Sequence, residues 1–352
     1  MKRIKTTLGW MVLALTIGLV TSCSKDDDGT PDSPEPQPVA KTVILDTDIT
    51  SSTDDVVTMV ALYNLMNQGV IDLKAIMVDR MGDMNPKFAD IMNTYYGHPY
   101  IPIGMVHDGA ENPKVWIDYG KMAEPETYTD EPVFKRTLSN AQIAELPDAA
   151  KLYRKILSQC PDSSVTILSI GFSANLAHLL ESEGDEYSPL TGVELVAKKV
   201  AAIHQQAGHF GEAAEPDYNF NQDKDHAYIY MDKCPAPMYF SPQESGDKFH
   251  YNNEDLLADL KSVGKEDSPL YHIYTHHTVN KTQHMWDVVT LMQMLHPDLF
   301  EFNGPSNIYV DDNMVLHKGD KTAKSNRYYL FPKDDASSQK IMEYIRQYVK
   351  GK

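Results

Sequence analysis

Thr42-Val43-Ile44-Leu45-Asp46-Thr47-Asp48-Ile49-Thr50-Ser51-Ser52-Thr53-Asp54-Asp55 opens the part of the chain that can fold, and its character changes halfway. Val43, Ile44 and Leu45 form an unbroken apolar run, the pattern of a strand covered on both faces. Asp46 and Asp48 follow at i and i+2, a spacing that lets both side chains face one side as a strand leaves its sheet. Asp54 and Asp55 then begin a helical pattern over 56–66. Carboxylates crowded this closely repel one another unless a cation neutralises them, and oxygen-only ligands select a hard ion such as Ca²⁺ or Mg²⁺. A simpler reading makes Asp54 a helix cap and Asp46 a solvated strand end. It gives the remaining acids nothing to do.

Outward from this stretch, short apolar runs alternate with helical patterns. The spacing predicts strands over 73–78, 101–104, 165–169, 200–204 and 237–240, and helices over 85–96 and 287–295. The alternation is that of an α/β fold: an open, mostly parallel, Rossmann-like sheet with helices on both faces. In such sheets ligands bind beyond the carboxyl ends of the strands, where Asp46 and Asp48 fall. Residues 307–316 and 327–331 read as two further strands joined by a polar turn around Gly319-Asp320, before a final helix.

The residues before 41 belong to another class. Lys2, Arg3 and Lys5 precede an apolar run over 8–20, too short to span a bilayer, so residues 1–22 read as a signal peptide. The run ends in Val20-Thr21-Ser22-Cys23, which resembles the lipobox of bacterial lipoproteins. That resemblance implies lipidation of Cys23 and a cell-envelope location reached through a lipid anchor alone. Residues 23–40 carry Asp26-Asp27-Asp28 and four prolines, a composition too polar to order itself, and read as a tether. The acidic triplet is either a solvated spacer or, by resemblance, a surface-export signal. Residues 41–352 are then one folded domain.

A net charge of −18 and a pI near 5.1 exclude the basic stripe that nucleic-acid binding needs. Small ligands and metal cations remain. Beyond Cys23 only Cys160 and Cys234 occur, consistent with a bridge or with two buried thiols.

The segment from Asp46 to Asp55 resembles the N-terminal signature of the inosine-uridine-preferring nucleoside hydrolases, in its longer-loop bacterial form. Three further segments are similar to that family in order. Ser169-Ile170-Gly171-Phe172-Ser173-Ala174-Asn175-Leu176-Ala177 is similar to its central T-G-P-L-T-N-L-A, and Asp217-Tyr218-Asn219-Phe220 to its E-F-N. Trp286-Asp287, ahead of His296-Pro297-Asp298-Leu299-Phe300, is similar to its late H-D and D-P-E-L-F. The resemblance implies a Ca²⁺ held by Asp48, Asp55, the backbone carbonyl of Ile170 and Asp287, supported by Asp46. It implies Asp48 as general base toward a water that attacks C1′ of a nucleoside-like N-glycoside. Asp54, Asp217 and Asn219 would hold the ribose, with Asp83 in place of a family asparagine. Homo-oligomers are a further implication.

The departures are specific. Asp217 is one methylene shorter than the family glutamate, Gly211 stands where an asparagine is expected, and Trp286 replaces the histidine that protonates the departing base. Trp286 would then activate the base by stacking, or one of His272, His276, His277 and His284 would supply the proton, His284 being nearest in sequence. Loops over 107–145 and 208–217 would choose the base. Two alternatives stand beside this reading. One is a haloacid-dehalogenase-like Mg²⁺ phosphatase with Asp46 as nucleophile and Asp311-Asp312 as its late acidic pair. Against it, Met314-Val315-Leu316 reads as a strand continuing where that family needs a loop. The other is a Ca²⁺-dependent ligand-binding lipoprotein with weakened turnover.

Overall fold

The computed structural model describes residues 39–111, 113–124, 134–211, 214–277, 282–319 and 326–352. The signal peptide read over 1–22 and most of the tether over 23–40, including Cys23, lie outside them. Residues Val39–Lys352 form a compact unit of their own.

The strands are β1 (Lys41–Thr47), β2 (Ile71–Val78), β3 (Ile103–Met105), β4 (Val165–Ser169), β5 (Val200–Gln206), β6 (Met238–Ser241), β7 (His250–Asn252), β8 (Thr282–His284), β9 (Phe300–Val310), β10 (Leu316–Gly319) and β11 (Arg327–Pro332). The helices are α1 (Asp54–Asn67), α2 (Met84–Tyr95), α3 (Asn140–Ala144), α4 (Ala149–Gln159), α5 (Ala174–Glu181), α6 (Gly192–Lys199), α7 (Tyr218–Gln222), α8 (Lys224–Lys233), α9 (Gln243–Gly246), α10 (Asn253–Lys261), α11 (Pro269–His276), α12 (Trp286–Leu295) and α13 (Asp335–Lys350).

Nine strands join in the order β10-β9-β11-β6-β5-β4-β1-β2-β3, parallel from β3 through β11, with β9 and β10 antiparallel at the far edge. The expected α/β class and mostly parallel sheet are present. The chain moves outward from β1 to β2 and β3, then returns to place β4 on the other side of β1. Connections therefore diverge at the β1/β4 boundary, the switch point beyond whose strand ends open sheets of this kind bind their ligands.

β1 is buried because helices cover both its faces. Val43 and Leu45 join the core under α1, α2, α12 and α13, while Ile44 joins the core under α4, α5 and α6. Helix α1 is buried nearly all round, as its sequence DDVVTMVALYNLMN, apolar without a polar stripe, requires. Among the described residues no helix is long and apolar enough to cross a membrane.

One element differs from its sequence reading. Residues 307–316 are not one strand: β9 starts at Phe300 and stops at Val310, a turn covers 311–315, and β10 returns beside β9. Asp311 makes the turn by accepting the N–H groups of Asn313 and Val315 at 2.9 and 3.0 Å. The turn expected at Gly319-Asp320 falls at the limit of the described residues. Cys160 and Cys234 are two buried free thiols.

Candidate active site

Helix α1 starts at Asp54 and α12 at Trp286, and the two N-termini meet: the backbone N–H of Asp287 donates to Asp54 Oδ2 at 3.3 Å. Each terminus presents unpaired N–H groups and the positive end of a helix dipole, which offsets part of the cost of placing acids there. One carboxylate oxygen from each of Asp54, Asp55 and Asp287 lies within 4.8 Å of the others, and all three residues are buried. Thr47 Oγ1 donates to Asp55 and Ser52 Oγ to Asp54. These neutral donors leave the three charges uncompensated.

The other carboxylates stack behind this trio. Asp46 lies on the α4/α5 side of β1, where it accepts from Tyr153 Oη at 2.8 Å and Asn175 Nδ2 at 2.9 Å. Burial pushes its carboxyl up to about 7 against the pull of those two donors. Asp48, just past the end of β1, is also pushed up to about 7 by burial, with Arg80 pulling it back. The Arg80 guanidinium is 3.9 Å from Asp48 and is anchored by donating to the carbonyls of Pro113 and Lys114 at 2.7 and 2.9 Å. Asp55 and Asp287 are pushed well above the usual carboxylate range by burial and then by neighbouring acids.

A further carboxylate, Asp79, was not singled out in the sequence. It directly follows β2, is fully buried, and neither of its oxygens has a hydrogen-bond donor from a neutral group or a cation. Burial, then Asp46 and Asp48, push its carboxyl well above the usual carboxylate range. The strand-end rule that picked out Asp46 applies equally to Val78-Asp79. β4 closes the group from the other side: Ile170 N–H donates to Asp46 O at 2.9 Å. A Cβ on Gly171 would collide with the Asp79 carboxylate and the Asp48 backbone, so only glycine lets β4 approach this closely.

The loop between β1 and α1 is strapped by a segment far along the chain. Tyr119 Oη accepts from Thr50 N–H at 2.8 Å and donates to Ser52 O at 2.7 Å, while Ser51 Oγ donates to Lys114 O at 3.0 Å. Thr50 sits at φ +86°, a conformation these anchors hold in place. The same segment carries Trp116, half exposed, whose ring lies 6.1 Å from that of Tyr218. A cleft of about 410 Å³ is lined by Thr50, Arg80, Asp83, Asn85, Lys87 and Glu124 among others, and of these Arg80 reaches toward Asp48.

A scan of known protein families finds no match to this chain, and a search of curated proteins finds none. Solved structures do match. The inosine-uridine preferring nucleoside hydrolase of Bacillus anthracis superposes with a TM-score of 0.65 at 14% identity, over 89% of this chain and 100% of that one. The fold is that of the nucleoside hydrolases. The purine-preferring ribonucleoside hydrolase of Gardnerella vaginalis gives 0.63 at 13% identity, over 88% of this chain and 99% of that one. A plant nucleoside hydrolase gives 0.63 at 17%, with the same coverage of 88% and 99%.

On the nucleoside-hydrolase fold, the residues expected at the site are placed as follows. Asp46, Asp48, Asp54, Asp55, Ile170 and Asp287 converge at the β1/β4 switch point. Asp83 is exposed on the rim of the cleft. Asp217 caps α7: it accepts from Phe220 N–H at 2.9 Å and Gly208 N–H at 2.7 Å, so backbone donors occupy both oxygens. Asn219 donates to Gln206 Oε1 at 2.9 Å. Trp286 donates its indole N–H to Asp247 at 2.8 Å and stacks on His284 at 4.7 Å, and His284 lies 3.7 Å from Asp247. Gly211 N–H donates to Glu244 at 2.7 Å.

The fold does not favour the phosphatase alternative. Asp46, its would-be nucleophile, is fully buried with one oxygen bound to Tyr153 and the other to Asn175. Asp311-Asp312 begin a turn, contrary to the continuing strand that the sequence suggested as grounds against that alternative. Asp311 serves this turn and His317, 2.9 Å away.

Proposed function

We propose that this chain hydrolyses the N-glycosidic bond of a nucleoside, releasing free base and ribose, with Ca²⁺ as its metal. The observation that carries the reading is the trio Asp54, Asp55 and Asp287, held within 4.8 Å by two facing helix N-termini at the sheet's switch point. The likeness in fold to nucleoside hydrolases supports it. The donor set fits a hard cation: the ligands are all oxygens, buried and, once ionised, more numerous than the single guanidinium of Arg80 can balance. Asp48, Asp55, Asp287 and the Ile170 carbonyl would hold it, with Asp54 turned to the sugar and Asp46 supporting from behind. A bound divalent cation would acidify water and fix sugar hydroxyls.

Asp48 is the base. Burial raises its carboxyl and Arg80 pulls it back, and a bound cation would favour the ionised form that accepts a proton. Arg80 stabilises its charged form and, with Pro113 and Lys114, fixes its place. Two aromatic pairs are the candidate surfaces for the departing base, Trp116 with Tyr218 and Trp286 with His284. His284 supplies the proton and Trp286 the stacking surface, with Asp83, Asp217 and Asn219 as further substrate contacts.

The test is reducing-sugar release from a panel of purine and pyrimidine nucleosides, with Ca²⁺ and with chelator. Release that depends on Ca²⁺ is expected. If no nucleoside yields sugar while Ca²⁺-dependent ligand binding persists, the chain is a binding protein on a hydrolase fold.

The chain is also proposed to be anchored to the cell envelope through lipidated Cys23, with 24–40 as spacer, and to assemble as a homo-oligomer. Cys23→Ser should move the protein from the membrane fraction to the soluble fraction. Retention in the membrane would remove the anchor assignment.

A further inference from the structure

A second cluster of ligating side chains lies outside the carboxylate site. His178 on α5 and His226 on α8 point their Nε2 atoms at each other, 3.0 Å apart, with the rings nearly perpendicular at 85°. Asp108, on the loop after β3, brings a carboxylate oxygen so close that all three ligand atoms lie within 4.8 Å of one another. On the far side of His226, Nδ1 donates to Asp223 Oδ2 at 2.7 Å. We propose that Asp108, His178 and His226 form a zinc-type site for a divalent transition metal, with Asp223 orienting His226.

The donor chemistry separates this site from the first. Imidazole nitrogens suit Zn²⁺, Co²⁺ and Ni²⁺, whereas the all-oxygen trio suits Ca²⁺. A tetrahedral Zn²⁺ with Zn–N near 2.0–2.1 Å sets its two nitrogens about 3.3 Å apart, so the pair must open by only a few tenths of an ångström. A carboxylate at Nδ1 fixes the tautomer and aims the Nε2 lone pair outward, the arrangement commonly found behind ligating histidines. Two facing Nε2 atoms can share a single proton, and a cation between them replaces it. His226 is largely buried at 16% side-chain exposure while Asp108 is open to solvent, so an ion has a route in and a water can complete the shell.

The position gives such an ion a task. His178 lies one turn beyond Asn175, which holds Asp46, and Gly109 packs against Val106 with Ala174 at the start of α5 nearby. An ion here ties the β3 loop and α8 to the helix that fixes Asp46. It acts as a latch beside the switch point, and it does not depend on the hydrolase reading.

The experiment counts Zn²⁺ equivalents on tag-free protein, stripped of metal and kept in excess Ca²⁺, against a chromophoric competitor. One tight equivalent is expected. It should be lost in the His178→Gln/His226→Gln double variant, weaken by about 10–100-fold in Asp223→Asn, and persist in Asp55→Asn. Unchanged stoichiometry in the double variant, or no equivalent in the wild type, overturns the proposal. Should the double variant not fold, Co²⁺ on the wild type decides: the visible d–d bands of a four-coordinate site with two nitrogen and two oxygen donors are expected, and their absence is the overturning result.

Discussion

Asp48→Asn should lower nucleoside hydrolysis by about 10²–10⁴-fold, the usual contribution of a positioned general base, equivalent to about 3–5 kcal/mol of barrier. The amide keeps the size of the carboxylate, so the loop from Asp48 to Thr53, held by Tyr119, Asn85 and Lys114, should keep its shape. What changes is the ability to take a proton in a buried place where water cannot replace the base. The loss should appear in kcat, with a smaller change in KM, because the interaction matters most in the transition state. Asp55→Asn provides the contrast: both carboxylates are assigned to the metal, so both variants should need more Ca²⁺, but saturating Ca²⁺ should restore activity only in Asp55→Asn, because Asp48→Asn still lacks the base. A variant at Asp48 that retains activity within about tenfold of wild type would remove the base assignment.

How much of this is legible in the sequence depends on whether a residue announces itself locally. β1 does, because an apolar run ending in alternating acids fits little besides a buried strand leaving its sheet, and the order of β1 to β6 follows from the alternation of strand and helix. Asp79 obeys the same strand-end rule, yet a single acid after a strand carries no signal until β1 and β4 close over it. Arg80, Trp116, Tyr119 and Tyr153 reach the site through tertiary contacts across tens of residues, and nothing in their neighbours marks them. The difference over 307–316 has another cause. Asp311-Asp312-Asn313 is strong turn chemistry between two apolar pairs, and it divides the run. Gly304-Pro305 misleads in the opposite direction, since β9 passes through it at the bulged part of its pairing with β11.

The carboxylates also govern stability, and here the expected result concerns pH. Burial raises Asp46 and Asp48 to about 7 and raises Asp55, Asp79 and Asp287 well above the usual carboxylate range, whereas the unfolded chain ionises all of them near pH 4. The folded protein therefore binds more protons than the unfolded one at neutral pH. The stabilisation is full below about pH 4 and is lost as pH climbs through the folded values, at about 1.4 kcal/mol per pH unit for each excess proton. Buried histidines work the other way: His204 is pushed down to about 3, so it favours folding as pH rises toward the ordinary histidine value. Above about pH 6.5 that contribution is complete, and the slope is set by the raised groups, the carboxylates together with His226, which its bond to Asp223 holds above the ordinary histidine value. In chelator, the melting temperature should fall between about pH 6.5 and 8. In excess Ca²⁺ it should fall much less, because a cation that displaces the protons binds more tightly as pH rises. The measurement is a thermal melt at several pH values with and without Ca²⁺. A chelated protein whose melting temperature holds level or climbs across that window would show that the cluster is ionised without a cation, and the case for a metal drawn from the trio would fall with it.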